Sequence, residues 1–217
     1  MTVADPPIEI ETVSDLLERL GDIPPDRVRM KPSPGTATLQ DVIQVNDRVG
    51  RLCELVDGTL VEKAVGYKES ALAVAIAAVI RSFVEARNLG IVTGADGMVR
   101  LFPGLVRGPD VAFVSWDRIP DRRMPDEPIP HLVPNLAVEV LSKGNTPKEM
   151  TRKRREYFKA GVELVWIVDP KTRQVHVYNS PDDSATLNES DSVTGDSILP
   201  GFTLSLSKLF AELDRLG

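Results

Sequence analysis

Glu139 stands inside the run Leu136-Ala137-Val138-Glu139-Val140-Leu141, a carboxylate within a stretch otherwise made for burial. Placing an ionised carboxylate among apolar neighbours is costly unless a cation or hydrogen-bond donors surround it, so something must compensate this one. Side chains alternate across a strand, which puts Glu139 on the face shared by Ala137 and Leu141, where the small alanine leaves room for a ligand. A second acid, Asp110, begins the run Asp110-Val111-Ala112-Phe113-Val114 behind Pro109. Proline is tolerated at the head of a strand, and Asp110 shares its face with Ala112. Two neighbouring strands that each project one acid beside one alanine would suit a divalent ion, and hard oxygen ligands favour magnesium or manganese.

Lys153 supplies a third element. Met150, Lys153, Tyr157 and Ala160 recur at three- and four-residue spacing, so the lysine lies near the inward face of a helix, while Arg152, Arg154 and Arg155 point elsewhere. A lysine beside a metal site can orient a water or stabilise charge developing on a phosphate, the equipment of phosphodiester hydrolysis. The three arginines form a local basic patch suited to phosphates. Glu69 is a fourth candidate, at the N-terminal end of the stripe Glu69, Leu72, Ala73, Ile76, Ile80 and Phe83, and Glu54 and Glu62 are further carboxylates within reach of an adjacent site. Each has a structural alternative: an arginine partner for Glu139, a strand-start cap for Asp110, a snorkelling stem for Lys153, and a helix-dipole acid for Glu69.

The elements that must position these residues follow from local pattern. Leu52–Val56 and Thr59–Lys63 flank Asp57-Gly58, the strongest short hairpin signal. Tyr67–Arg87 is alanine-rich and apolar on nearly every side, which predicts a helix buried against a sheet. Short strands are predicted over Gly90–Thr93, Met98–Leu101 and Val111–Val114, and a central strand over Leu136–Leu141. Thr146 as N-cap, Pro147 at the first helical position, Glu149 completing a capping box and Gly161 after the end bracket a helix. Strands over Leu164–Val168 and Gln174–Tyr178, a polar tail over Pro181–Gly195 and a closing helix over Ser207–Leu216, with Leu209, Phe210 and Leu213 inward, complete the chain. Residues 1–50 read as an arm with short helices over Thr12–Leu20 and Thr38–Asn46, and 51–217 as the main domain, a mixed sheet with helices against it.

Composition narrows the function. The 217 residues are 42% apolar, ordinary for a chain with a core. One cysteine, Cys53, allows neither an internal disulfide nor a multi-thiolate zinc site, and the N-terminus lacks the basic and apolar regions of a secretory signal, so a cytoplasmic location is expected. The longest apolar run, Ala71–Ile80, is about half of the roughly 20 residues a membrane span needs. A formal net charge of −6 weighs against a broadly basic nucleic-acid binder but not against a metal enzyme with local basic groups. The two histidines, His131 and His176, have no partner at ligand spacing, and Gly94-Ala95-Asp96-Gly97 lacks the lysine and spacing of a phosphate loop.

With these residues the chain resembles the Uma-type putative restriction endonuclease family. The resemblance runs through the hairpin Glu54-Leu55-Val56-Asp57-Gly58, Pro109-Asp110, Glu139-Val140-Leu141-Ser142, Lys153 with Tyr157, and Gly161-Val162 through Trp166-Ile167-Val168-Asp169-Pro170, over about residues 50–180. It implies an α/β nuclease core of the PD-(D/E)xK type, with Asp110 and Glu139 binding the metal and Lys153 as the lysine moved from strand to helix. Leu141 occupies the strand position where the lysine would otherwise stand. Where many members carry a histidine near the start of the long helix, this chain has Tyr67-Lys68-Glu69. The expectation is a magnesium- or manganese-dependent DNA endonuclease, with a homodimer as the simplest way to cut both strands. The alternatives are a catalytically silent protein of the same fold that binds nucleic acid or a protein, and an interaction module whose acids are all ion-paired.

Overall fold

The computed structural model describes residues 10–49 and 52–214. Residues 1–9 of the expected arm and the last residues expected in the closing helix lie outside them. Thr12 caps α1 (Val13–Arg19) through its hydroxyl and receives the Asp15 carboxylate on its own N–H, and α2 (Leu39–Val49) follows. The hairpin of β1 (Cys53–Val56) and β2 (Thr59–Glu62) turns at Asp57 (φ 48°) and Gly58 (φ 69°), the positive-φ pair such a turn requires. Any side chain at Gly58 would also meet the backbone of Gly35 at 2.5 Å.

Helix α3 (Tyr67–Arg87) leads to β3 (Gly90–Gly94), β4 (Val99–Phe102), β5 (Leu105–Arg107), β6 (Val111–Ser115) and β7 (Leu136–Val140). Then come α4 (Pro147–Ala160), β8 (Leu164–Asp169), β9 (Gln174–Tyr178), β10 (Ser184–Leu187), β11 (Ser192–Gly195), β12 (Leu199–Ser205) and α5 (Leu206–Phe210). A six-stranded mixed sheet runs β10-β9-β8-β7-β6-β3, with β7 and β8 parallel through the α4 crossover. A four-stranded sheet runs β2-β1-β5-β4, and β11 pairs with β12.

The central strands β6, β7 and β8 of the main sheet are apolar on both faces because both are covered. Leu136, Val138 and Val140 of β7 pack with Leu72, Ile76 and Ile80 of α3 and with α5, whereas Ala137 packs with Met150 and Tyr157 of α4 and with Val99, Leu101 and Leu105 of the second sheet. The far side of that second sheet is closed by α2, while α1 packs on Val56 and Val61 of the same face as Glu54, beside α4. Helix α4 therefore lies between two sheets, which is what brings its inward residues under cover.

Three expectations change in detail. Helix α3 is not buried all round: it buries Leu72, Ala73, Ile76, Ile80 and Val84, but Val74 is 67% exposed and Tyr67 92%, because only one side faces a sheet and alanines fill the rest. Glu149 does not complete a capping box. Thr146 does accept from its N–H at 3.0 Å, but the Glu149 carboxylate turns to Arg27 in a two-point pair at 2.7 and 2.9 Å. The polar stretch Pro181–Gly195 carries β10, a largely exposed strand, and β11, which turns Val193 and Gly195 inward.

Candidate active site

Asp110 and Glu139 face each other across β6 and β7. The register pairs Val111 with Val138 and Ala112 with Ala137, so one further step sets Asp110 opposite Glu139 with the two alanines beside them. Asp110 accepts from the Val140 N–H at 2.8 Å and from Lys63 Nζ at 3.0 Å. Its side chain keeps 18% exposure, opening to a cavity of about 360 Å³ between the start of α3 and the Gly94–Asp96 turn. Glu139 is buried, accepting from Tyr157 Oη at 2.5 Å and lying 3.3 Å from Lys153 Nζ.

Lys153 reaches a second acid, since its Nζ is 3.1 Å from Glu54 Oε1. Glu54 is completely buried and also accepts from Arg107 Nη1 at 2.7 Å and from the Gly108 N–H at 3.2 Å. The β1–β5 register pairs Leu55 with Val106, so Glu54 and Arg107 are opposed one step on. Arg107 continues to Glu156 through Nε at 2.9 Å, and Lys63 also donates to the carbonyls of Gly108 and Ala95. Three acids, Asp110, Glu139 and Glu54, thus share a covered space with three cations, Lys63, Lys153 and Arg107.

The cations are unevenly distributed. Burial pushes the Glu54 carboxyl up, but Lys153, Arg107 and Lys63 together overcome it and hold the group well below the usual carboxylate range. For Glu139, burial wins: Lys153 opposes it, but the neighbouring charges of Asp110 and Glu54 add to it, and the carboxyl lies above its ordinary value. Burial disfavours the Lys153 ammonium, yet Glu139 and Glu54 reverse this and raise its pKa, so it is a committed cation and a donor rather than a base. Burial followed by the charge of Glu139 keeps Tyr157 a neutral phenol, fit to donate to that carboxylate.

Residues 39–207, most of the chain, match the profile of the Uma2 family, described as a putative restriction endonuclease. The chain belongs to the Uma2 family. Its fold is also that of a crystal structure of a putative nuclease belonging to DUF820 from Anabaena variabilis ATCC 29413, with a TM-score of 0.69 at 23% identity over 81% of this chain and 98% of that one. No curated protein matches the chain.

Among the described residues of this Uma2 protein, no group of three or more His, Cys, Asp or Glu is arranged to hold a metal ion. Two carboxylates remain, a set that suits magnesium, which keeps several waters and binds through one or two carboxylates plus substrate phosphates. Burial first, and then the neighbouring charges of Asp110 and Glu54, leave the Glu139 carboxyl above its ordinary value, and a divalent cation beside it and Asp110 would favour its ionised form. The residues present fit such an ion.

The other expected residues separate. Glu69 folds back over Gly66, where a Cβ would meet its Oε2 at 1.9 Å, and it lines the cavity onto which Asp110 opens without joining the hydrogen-bonded cluster. Glu54 joins the cluster; Glu62 turns to Arg29 at 2.8 Å. Arg152 is held by Asp57 at 2.8 Å and Glu156 at 2.7 Å, and Arg155 lies 3.3 Å from Asp182 on the surface. Arg154 lines a larger cavity. The sequence reading missed Lys63 and Arg107. Lys63 stands one residue past β2, and Arg107 ends a three-residue strand too brief for alternation to reveal.

Proposed function

We propose that this Uma2 protein is a metal-dependent DNA endonuclease. The observation that carries the reading is the apposition of Asp110 and Glu139 on adjacent strands, with the Lys153 ammonium 3.3 Å from Glu139. Asp110 and Glu139 would hold magnesium or manganese, and such an ion supplies Lewis-acid stabilisation of charge developing on a phosphate. Lys153, held cationic, donates to the attacking water or to the phosphate oxygens; Glu54 and Glu139 fix where it points, and Tyr157 in turn holds Glu139. Asp110, being the more accessible acid, gives the substrate its approach through the adjoining cavity.

The test is cleavage of supercoiled plasmid, linear duplex and single-stranded DNA in magnesium, manganese or EDTA. Asp110→Ala, Glu139→Ala and Lys153→Ala should each lower metal-dependent cutting by about 100-fold or more. No cutting by folded native protein on any DNA form would overturn the reading.

A second reading has its own observation: each acid already has a cation, Lys63 on Asp110, Lys153 on Glu139, and Lys153 with Arg107 on Glu54. On that reading the protein is a silent member of the fold that binds a partner. The two differ in how magnesium affects melting. An ion bound only by the native state should stabilise it by about 2.7 kcal/mol at a hundred times its Kd, whereas a cluster already neutralised by lysines should show no shift.

A further inference from the structure

We infer that the large cavity beside the start of α4 binds a single nucleic-acid strand and delivers it to the Asp110–Glu139 pair. The choice of nucleic acid as ligand rests on the nuclease reading; the existence of an anion-binding cavity does not.

The cavity has a volume of about 820 Å³, within the range of built ligand sites. Its cations come from separate parts of the fold: Lys68 from the first turn of α3, Lys143 from the loop after β7, Arg154 from α4, and Lys171 from the turn between β8 and β9. The side chains of Lys68, Lys143 and Lys171 are exposed and have no ion-pair partner among the described residues. Two of the three acids at the cavity wall are occupied. Asp169 accepts from the N–H groups of Lys171 and Thr172, and Asp214 is paired with Arg173. In a chain whose formal net charge is −6, this concentration of unpaired lysines around one concavity is not a general property of the surface.

Arg154 adds a recognition element. Its guanidinium lies over the Tyr178 ring, 4.4 Å from the centroid, and its buried Nε has no hydrogen-bond partner. A guanidinium held flat on an aromatic ring offers a planar surface for a base and edge donors for phosphate, and the pairing of stacking surfaces with a basic groove is how single strands are bound without regard to sequence. A duplex, with its bases stacked inside, could only lie across the mouth of a cavity this size. A strand with splayed bases can enter.

The cavity also leads to the acids. Leu141 and Met150 form part of its wall. Glu139 precedes Leu141 by two residues on the same face of β7, and Lys153 follows Met150 by three on the inward side of α4. Glu69 lines both this cavity and the smaller one onto which Asp110 opens, so the two spaces lie on either side of that residue. A strand seated against Lys143, Lys171 and Arg154 therefore continues past Glu69 to Asp110. The substrate class that follows is an unpaired strand, flap or opened end rather than an intact duplex.

The experiment is fluorescence anisotropy in EDTA, so that binding is read without cleavage, using a labelled 20-nucleotide oligothymidine and a duplex of the same length, with thymidine monophosphate as competitor, over a salt series. Native protein should bind the single strand more tightly than the duplex. Lys143→Ala/Lys171→Ala, at exposed positions, should melt as the native chain does but bind the strand about tenfold more weakly, with the slope of log K against log salt falling by about 1.4, or 0.7 for each lost phosphate contact. Lys159→Ala/Lys208→Ala, outside the cavity, should leave both quantities unchanged. Duplex bound as tightly as single strand, or equal loss in the two double variants, would overturn the inference. Competition by the monophosphate at the oligonucleotide's own concentration would overturn the strand in favour of a single nucleotide. Binding of this pattern without cleavage would retain the inference and reject only the catalytic reading.

Discussion

Arg107→Met should lower the unfolding free energy by about 3–5 kcal/mol at neutral pH, the cost of removing one partner from a buried ion pair. Arg107 is 2% exposed and donates to Glu54, which is wholly buried, and to Glu156. After the substitution Glu54 keeps Lys153 and the Gly108 N–H, but the same lysine must also serve Glu139. The penalty is therefore that of an acid left short of positive charge rather than of a lost contact. Urea denaturation measures it, and the double variant Glu54→Leu/Arg107→Met separates the two contributions: the glutamate substitution should cost less in the Arg107→Met background than alone, with a coupling of about 0.5–3 kcal/mol. A loss under about 1 kcal/mol for Arg107→Met would mean that water reaches Glu54 and that the cluster is not closed.

The same cluster shows where sequence stops being informative. Glu139 was legible because a charge inside a fully apolar strand has few structural excuses, and Asp110 because proline marks the head of its strand. Lys153 followed from helical spacing once Thr146, Pro147 and Gly161 fixed the helix. Each of these signals is local. What sets the electrostatics is not: Glu54, Arg107 and Lys63 belong to the second sheet, and their approach to β7 and α4 depends on how two sheets clasp one helix. Arg107 meets Glu54 at a separation of 53 residues, and Lys63 meets Asp110 at 47. The neighbouring placement of β6 and β7, which turns two separate acids into a pair, is likewise a fact of sheet order. The strands β10 and β11 escaped notice for a different reason: β10 has no buried face to give an alternation, and β11 is four residues long with one large apolar side chain, Val193, turned inward.

Glu139→Gln should make the protein more stable at neutral pH while removing its proposed activity. The Glu139 carboxyl lies above its ordinary value of 4.5, mainly through burial, so the folded state prefers the neutral acid. That preference stabilises the fold below the unfolded pKa and is lost as pH rises through the folded one. Glutamine is neutral throughout and escapes the loss, its amide oxygen can still accept from Tyr157, and Lys153 keeps Glu54. Glu54 has the opposite sign: its depressed pKa contributes stability that is present above about 4.5 and declines as pH falls below it, so both proteins should share the same acid limb. Melting temperatures measured from pH 4 to 8 should coincide near pH 4 and then diverge, Glu139→Gln melting higher, while its metal-dependent cleavage falls by about 100-fold or more. A site that keeps an acid in a place where it destabilises the fold is expected when that acid binds a cation during function, because the ion supplies the compensation the protein withholds. If Glu139→Gln melts below the native chain at pH 7, then Lys153 and Tyr157 fully satisfy the carboxylate, and the case for a metal at this position loses its electrostatic basis.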